Sequence, residues 1–302
     1  MNVQDDVTVI IPVYNQAEAL SLTLEGFAGQ TPPFQHSRIV VMDDGSTQPI
    51  RAVVEAFKDK LRIDYVRISR SGRAVARNLG SSRAEKGLLV FCDADRIPAP
   101  DFLAAHYDAH QRAPVGQKRV VIGQVRETYL SDPTKNRQRV DVYLRQQKHQ
   151  RIPQYCQLVY RLFDSRGQTA SPICWIATFS GNMSLSVEGF RQLGGFDENF
   201  REWGFEHFEL GYRAYRQKFS FVYEPQASNV HLAHRREGFS YEEKIRASHA
   251  YFLQKHPDPA IESFLPFMLG KLSMNQLEQL AAYGSVVQQE DHASLYVRIT
   301  NF

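Results

Sequence analysis

The 302 residues are 43% apolar, 12% aromatic and 23% charged, with a formal net charge of +3. That is enough apolar material for one large core or two modest ones, and too little positive charge to argue for nucleic acid as a partner. The three cysteines, Cys92, Cys156 and Cys174, are widely spaced and form no CxxC pair, which excludes a disulfide framework or a zinc knuckle. No run approaches the roughly 18 apolar residues of a membrane span, and "MNVQDDVTVIIPVYN" lacks the basic start of a signal peptide. The expectation is a reduced cytoplasmic protein, with contact to the inner face of a membrane left open.

The first third alternates strand and helix signals. "VTVIIP" (Val7 to Pro12) is a short β-branched run, and Ala17 to Gln30 places Leu20, Leu24 and Phe27 at helical spacing. "RIVVMDD" (Arg38 to Asp44) predicts a second strand, "IRAVVEAFK" (Ile50 to Lys58) a second helix, and "LRIDYVRIS" (Leu61 to Ser69) a third strand. A helix over Val75 to Ala84, a strand at "GLLVFCD" and a helix at "DFLAAHYDAHQ" complete four strand–helix units. Such a series predicts a mostly parallel sheet with helices on both faces. In sheets of this kind ligands sit at the carboxyl ends of the strands. Here "PVYN", "DDGS" and "DADR" all follow apolar strands. The last is the most pointed. A strand aiming Asp93 and Asp95 the same way sets two negative charges side by side, and that needs a cation or a strong set of donors.

Beyond the first third, "RVVIGQV" (Arg119 to Val125) reads as a strand, Asp132 to Gln150 as a helix and Ser165 to Pro172 as a loop. Cys174 to Glu198 reads as strand, turn, strand, helix and a Gly-Gly stop. Phe205 to Gln217 is an amphipathic helix, "FSFVYEP" a strand, and the chain from Tyr241 onward is helical. The nearest thing to a boundary is "HRREGFS" (His234 to Ser240). A dinucleotide-dependent oxidoreductase is a poor fit, because no GxGxxG follows the first strand.

In order, "VIIPVYN", "VVMDDGS", "SGRAVARN", "LLVFCDADRIP", "SGNMSLS", "GGFDENF" and "WGFEHFELGYR" resemble the family 2 glycosyltransferases of the GT-A fold. The resemblance spans residues 7 to 213. It implies an α/β fold with a mixed, mostly parallel Rossmann-like sheet flanked by helices. Residues 1–238 would be the GT-A domain, with 1–112 as its nucleotide-binding half and 113–238 as its acceptor half, followed by a helical extension over 239–302. It also implies a UDP-sugar donor, Mn2+ or Mg2+ as cofactor, and an acceptor of open identity: a glycan, a lipid-linked sugar, a peptide or a small molecule. By the same resemblance Asp95 binds the metal, while Asp93 and Ala94 lie near the ribose. Asp44 pairs with the N3–H of uracil. Pro12, Tyr14 and Asn15 surround the base, and Arg77 lies near the nucleotide, with Arg73 a second basic candidate.

On the acceptor side, "WGFEHFEL" departs from the family pattern W-G-x-E-D-x-E-L, whose aspartate is the catalytic base. His207 stands at that position. Histidine can take the acceptor's proton, with an unperturbed pKa of about 6.5; Glu206 is the other candidate. The departure leaves a retaining transferase or a non-catalytic sugar-nucleotide binder as alternatives to an inverting enzyme. Glu209 is expected to pair with Arg213 at i,i+4. Gly181, Asn182, Trp203 and Glu206 are expected near the acceptor, and His231, with His234 as the alternative, as a further metal ligand. The C-terminal helices could mediate a homodimer.

Overall fold

The computed structural model of the chain describes residues 6–128, 135–146, 149–201, 204–233 and 241–285. In chain order these form β1 (Val7–Val13), α1 (Ala17–Ala28), β2 (Arg38–Asp44), α2 (Ile50–Glu55), β3 (Ile63–Ile68), α3 (Arg73–Ser81), β4 (Leu88–Cys92), β5 (Arg96–Pro98), α4 (Phe102–Gln111) and β6 (Arg119–Thr128). There follow α5 (Arg137–Gln146), β7 (Gln150–Arg151), α6 (Gln154–Val159), β8 (Asn182–Ser186), α7 (Val187–Leu193), α8 (Glu206–Arg216), β9 (Ser220–Leu232), α9 (Tyr241–Lys255), α10 (Pro259–Met268) and α11 (Met274–Tyr283).

The strands join in one sheet of order β3-β2-β1-β4-β8-β6-β9-β5, with β7 paired to β6. The first four are parallel, as the strand–helix repeat predicts. Alternation explains why β1 and β4 read as unbroken apolar runs, since each is buried on both faces. Val7, Val9, Ile11, Leu88 and Val90 face α1 and α4, with Leu20, Leu24, Phe27 and Phe102. Ile10, Leu89 and Phe91 face α3, α7 and α8. The strand order reverses direction between β1 and β4, the crevice where open α/β sheets bind ligands.

β8 then enters antiparallel to β4, with Cys92 opposite Asn182. β9 runs parallel to β6, shifts register at Gly123/Gln124, and continues far enough to pair antiparallel with β5, placing His231 opposite Arg96. That long, bulged strand is what returns His231 to the end of β4.

The expected strand at Cys174 is a correction: Cys174–Ala177 is a 3-10 turn. The turn buries Trp175 edge-on against Phe252 and Phe264 at 5.7 and 5.0 Å. The C-terminal helices therefore share the main core with α8. Among the described residues, no helix is long and apolar enough to cross a membrane. The "HRREGFS" segment, His234 and Trp203 lie outside the described residues.

Candidate active site

The carboxyl ends of β1, β2 and β4 meet as the sequence expects. Asn15, just past β1, has a left-handed φ of 52°. Its side-chain oxygen accepts from the backbone N–H of Thr47 and Gln48 at 2.8 and 3.2 Å, tying the first loop to the "DDGS" loop. Asp43 is buried and accepts from Ser46 N at 2.8 Å and from Tyr65 Oη at 2.6 Å. Asp44, at the tip of β2, accepts from the backbone N–H of Ser71 at 2.6 Å and of Gly72 at 3.0 Å, and from Arg70. It thereby shapes the loop that leads into α3. Tyr14 is exposed beside it, with the Arg70 guanidinium 3.8 Å from its ring centre. Pro12 and Ala94 lie buried beneath this surface; the Ala94 carbonyl accepts from Thr23 Oγ1 at 2.8 Å.

The two aspartates that open the question of charge find different answers. Asp93 takes the donors: Arg77 Nη2 lies 2.8 Å from its Oδ1, and Arg96 Nε 3.4 Å from its Oδ2. Burial works against the Asp93 charge, but Arg77 and Arg96 outweigh it and hold its carboxyl below the usual range. Gly181 is required against this pair, since a Cβ there would come within 2.2 Å of Arg96 Nε and 2.5 Å of Asp93 Oδ2.

Asp95 points across the crevice. Gln16 Nε2 donates to its Oδ2 at 2.8 Å, and His231 Nε2 lies 3.6 Å from the same oxygen. One carboxylate and one imidazole at this spacing fit adjacent positions on a hard divalent ion, whose neighbouring ligand atoms stand ~3 Å apart. Among the described residues no group of three or more His, Cys, Asp or Glu gathers as a metal site. The protein would supply two ligands and leave the rest to phosphate and water, as Mg2+ and Mn2+ sites on nucleotides commonly do.

Arg77 is the site's largest departure from expectation. It is 1% exposed, and its fork is spent on Asp93 and on Glu206 Oε1 at 2.9 Å. It joins the two halves of the site from within instead of facing a ligand. Arg73, at the start of α3, is exposed and makes no ion pair or hydrogen bond among the described residues. Arg96 Nη1 is buried with no hydrogen-bond partner among them.

Glu206 and His207 open α8, whose start is fixed by Phe205 at a left-handed φ of 73°. Such a conformation is costly for a bulky residue and persists only when packing holds it. Phe205 is fully buried against Phe208 and Phe264 at 5.6 Å each. Thr178 Oγ1 donates to the His207 carbonyl at 2.9 Å. His207 Nδ1 lies 3.8 Å from Glu206 Oε1, too far for a hydrogen bond. Burial opposes the Glu206 charge, yet His207, Arg77 and Arg73 more than offset it and hold the carboxyl below its ordinary value.

Asn182 does not face an acceptor. It is fully buried; Nδ2 donates to the carbonyls of Gln124 and Ala227 at 3.1 and 3.0 Å, and Oδ1 lies 3.0 Å from His106 Nε2. These contacts brace the bulge in β9 that carries His231. Sequence reasoning missed Gln16, Arg70 and Arg96. Gln16 and Arg70 flank motifs that were read and Arg96 ends one, "DADR", and only the three-dimensional register shows which way they turn.

A sheet that brings nucleotide-type carboxylates to its switch point and a histidine to the head of a facing helix is matched by comparison with known proteins. A family model described as "Glycosyl transferase family 2" matches residues 8–167, and one described as "N-terminal domain of galactosyltransferase" matches 168–235. A validoxylamine A glucosyltransferase of Streptomyces hygroscopicus subsp. jinggangensis is 30% identical over 275 residues, 85% of this chain; the chain spans 63% of that protein's length. The structure of GalNAc-T7 with UDP, GalNAc and Mn2+ superposes with a TM-score of 0.61 at 17% identity, over 87% of this chain and 50% of the other. That of a mannosyltransferase of Pyrobaculum calidifontis with GDP-Man and Mn2+ does so with a TM-score of 0.59 at 19% identity, over 92% of this chain and 73% of the other. With more than half its length matched by that first model, the chain belongs to glycosyl transferase family 2.

Proposed function

We propose that the chain transfers a sugar from a UDP-sugar to an acceptor hydroxyl, by direct displacement with inversion and with Mn2+ or Mg2+ bound. The observation that carries this reading is the meeting of Asp95 and His231 at 3.6 Å beside the end of β1. It joins two distant parts of the chain in an oxygen–nitrogen pair at the switch point. The names of the relatives support the reaction class, and Mn2+ stands in the titles of both solved complexes. The ion, held by Asp95 and His231, would screen the charge that grows on the departing diphosphate.

The chain's own groups have these roles. Tyr14 and Asp44 receive uracil, whose N3–H donates to the carboxylate. Arg73 is the exposed cationic donor left for the diphosphate, because both Nη atoms of Arg77 are engaged between Asp93 and Glu206. His207 is the base. Glu206 is held ionised by the buried Arg77, and a carboxylate so stabilised is a poor proton acceptor. With Nδ1 turned toward Glu206, Nε2 takes the acceptor's proton as its oxygen attacks the anomeric carbon. The bond from that carbon to the phosphate oxygen breaks, and its electron pair leaves on UDP. Residues 1–238 would carry this chemistry, and the helices beyond 239 would brace it.

The test is UDP release from UDP-glucose, UDP-galactose and their N-acetylated counterparts, with Mn2+ or Mg2+ and with chelator. Turnover is expected to need the ion and to fall ~100-fold or more in Asp95→Ala. If no UDP-sugar turns over, and no nucleoside diphosphate raises the melting temperature in Mn2+, the reading is wrong.

A further inference from the structure

The place assigned to the nucleobase is filled by a side chain of the protein itself. The Arg70 guanidinium carbon sits 3.8 Å from the centre of the Tyr14 ring, a stacking distance, and Nη1 of the same group donates to Asp44 Oδ2. A flat group on the tyrosine face with an N–H on the carboxylate makes the two contacts that uracil would make there. The two receiving groups are fixed differently from the one that fills them. Asp44 is 3% exposed and is anchored by the backbone N–H groups of Ser71 and Gly72, whereas the Arg70 side chain is 55% exposed. Oδ1 of Asp44 is taken by Ser71 and Gly72, and Oδ2 by Gly72 and Arg70. The Arg70 contact is therefore the one a ligand can displace without unfolding the loop.

We propose that Arg70 determines donor affinity by competing with the nucleobase: it stands on Tyr14 and Asp44 when the site is empty, swings off as uracil enters, and returns as UDP leaves. The proposal rests on the reading of Tyr14 and Asp44 as nucleobase residues. An exposed cation–π contact is weak, and an ion pair whose cation is half exposed is screened by solvent, so the occupied arrangement is favoured only modestly over the open one. Apparent affinity is the intrinsic affinity multiplied by the fraction of molecules in which the place is open. The consequence is looser UDP binding through slower UDP association.

Calorimetric titration of the full chain in Mn2+ with UDP, and separately with pyrophosphate, tests this. Arg70→Ala is expected to bind UDP roughly three- to tenfold more tightly, with correspondingly faster UDP association in stopped flow. Its affinity for pyrophosphate, which needs neither Tyr14 nor Asp44, is expected to stay the same. The exposed position of Arg70 predicts an unchanged melting temperature without ligand. Weaker UDP binding would make Arg70 a direct nucleotide contact and overturn the proposal. Unchanged UDP binding, or an equal change for pyrophosphate, would overturn it too. Tyr14→Ala made in the Arg70→Ala background, where no guanidinium competes, separates two kinds of failure. If it weakens UDP binding while Arg70→Ala alone does not tighten it, only the competition is wrong. If it leaves UDP binding intact, the base lies elsewhere and the nucleobase reading fails as well.

Discussion

Arg77 donates to Glu206 Oε1 at 2.9 Å across 129 positions of sequence, from a side chain that is 1% exposed. The other arm of its fork holds Asp93 at 2.8 Å. One buried cation thus ties the end of β4 to the start of α8.

Removing that cation should be severe. Arg77→Met strips buried Glu206 of its ion pair and leaves Asp93 with only the longer Arg96 contact, and breaking a buried pair in this way typically costs about 3–5 kcal/mol. Arg77→Lys keeps the charge but not the two-armed geometry, and an intermediate loss is expected. Urea unfolding of the three proteins decides this; a loss under about 1 kcal/mol in Arg77→Met would show that the bridge contributes little.

The division of labour between Glu206 and His207 predicts a contrast in rate. His207→Ala should lower kcat about 100- to 10,000-fold, the usual range for a general base, with partial recovery on adding imidazole. Glu206→Gln keeps the imidazole and should cost less. Single-turnover rates on a UDP-sugar, with the acceptor saturating, provide the comparison. If Glu206→Gln is the more damaging change and imidazole rescues nothing, the base is Glu206.

Much of this arrangement was legible in the sequence because it depends on local patterns. The four strand–helix units and the carboxylates at "DDGS" and "DADR" follow from alternation and apolar runs, which a single sequence displays. The i,i+4 pair of Glu209 and Arg213 is likewise local, and its atoms lie 2.6 Å apart. What stayed hidden depends on register between distant strands. Asn182 reads as a polar residue after a turn, yet the pairing of β8 with β4 and β6 buries it under β9. Arg77 reads as a phosphate arginine on a helix face, and only the packing of α8 against α3 gives it Glu206. The three-residue strand β5 is too short to leave a periodic signal, although it sets His231 opposite Arg96.

A buried polar chain under the site gives a prediction about pH. His106 is fully buried, with Nδ1 2.9 Å from Ser184 Oγ and Nε2 3.0 Å from Asn182 Oδ1. Burial, only partly offset by the Asn182 contact, pushes it down to about 4. The folded protein therefore keeps this imidazole neutral while the unfolded chain protonates it near 6.5. Below pH 6.5 the unfolded state binds more protons, so stability is full above that value and is lost as pH falls toward about 4. The loss approaches ~1.4 kcal/mol per pH unit from this group alone. Urea midpoints from pH 7.5 to 5 should fall more steeply for the wild type than for His106→Gln, which keeps an amide donor but does not titrate. Parallel slopes would show that His106 is already protonated in the fold.

The last prediction concerns the helices beyond residue 240, which neither family model reaches. Glu209, one turn into α8, has a fully buried side chain, yet two cations and an imidazole meet it: Arg213 at 2.6 Å, and from the end of α9 Lys255 at 2.9 Å and the next residue, His256, at 2.9 Å. Burial opposes its charge, but His256, Arg213 and Lys255 hold it down to about 2. A carboxylate lowered in this way stabilises the fold above its unfolded value of about 4.5, and that contribution is lost as pH falls from there through about 2. Glu209→Gln should therefore lose about 3 kcal/mol at pH 7, and the gap to wild type should narrow by roughly 1 kcal/mol by pH 4. Chemical denaturation at pH 7, 5 and 4 measures both quantities, and a gap that does not change with pH would mean the glutamate is not held ionised by these partners. The same contacts bear on truncation. A chain ending at residue 240 would strip Glu209 of Lys255 and His256 and uncover Trp175, Phe205 and Phe208, which lie against Phe252 and Phe264. It is expected to fail to fold, because the residues that orient Glu206 and His207 are buried by helices that the catalytic motifs do not include.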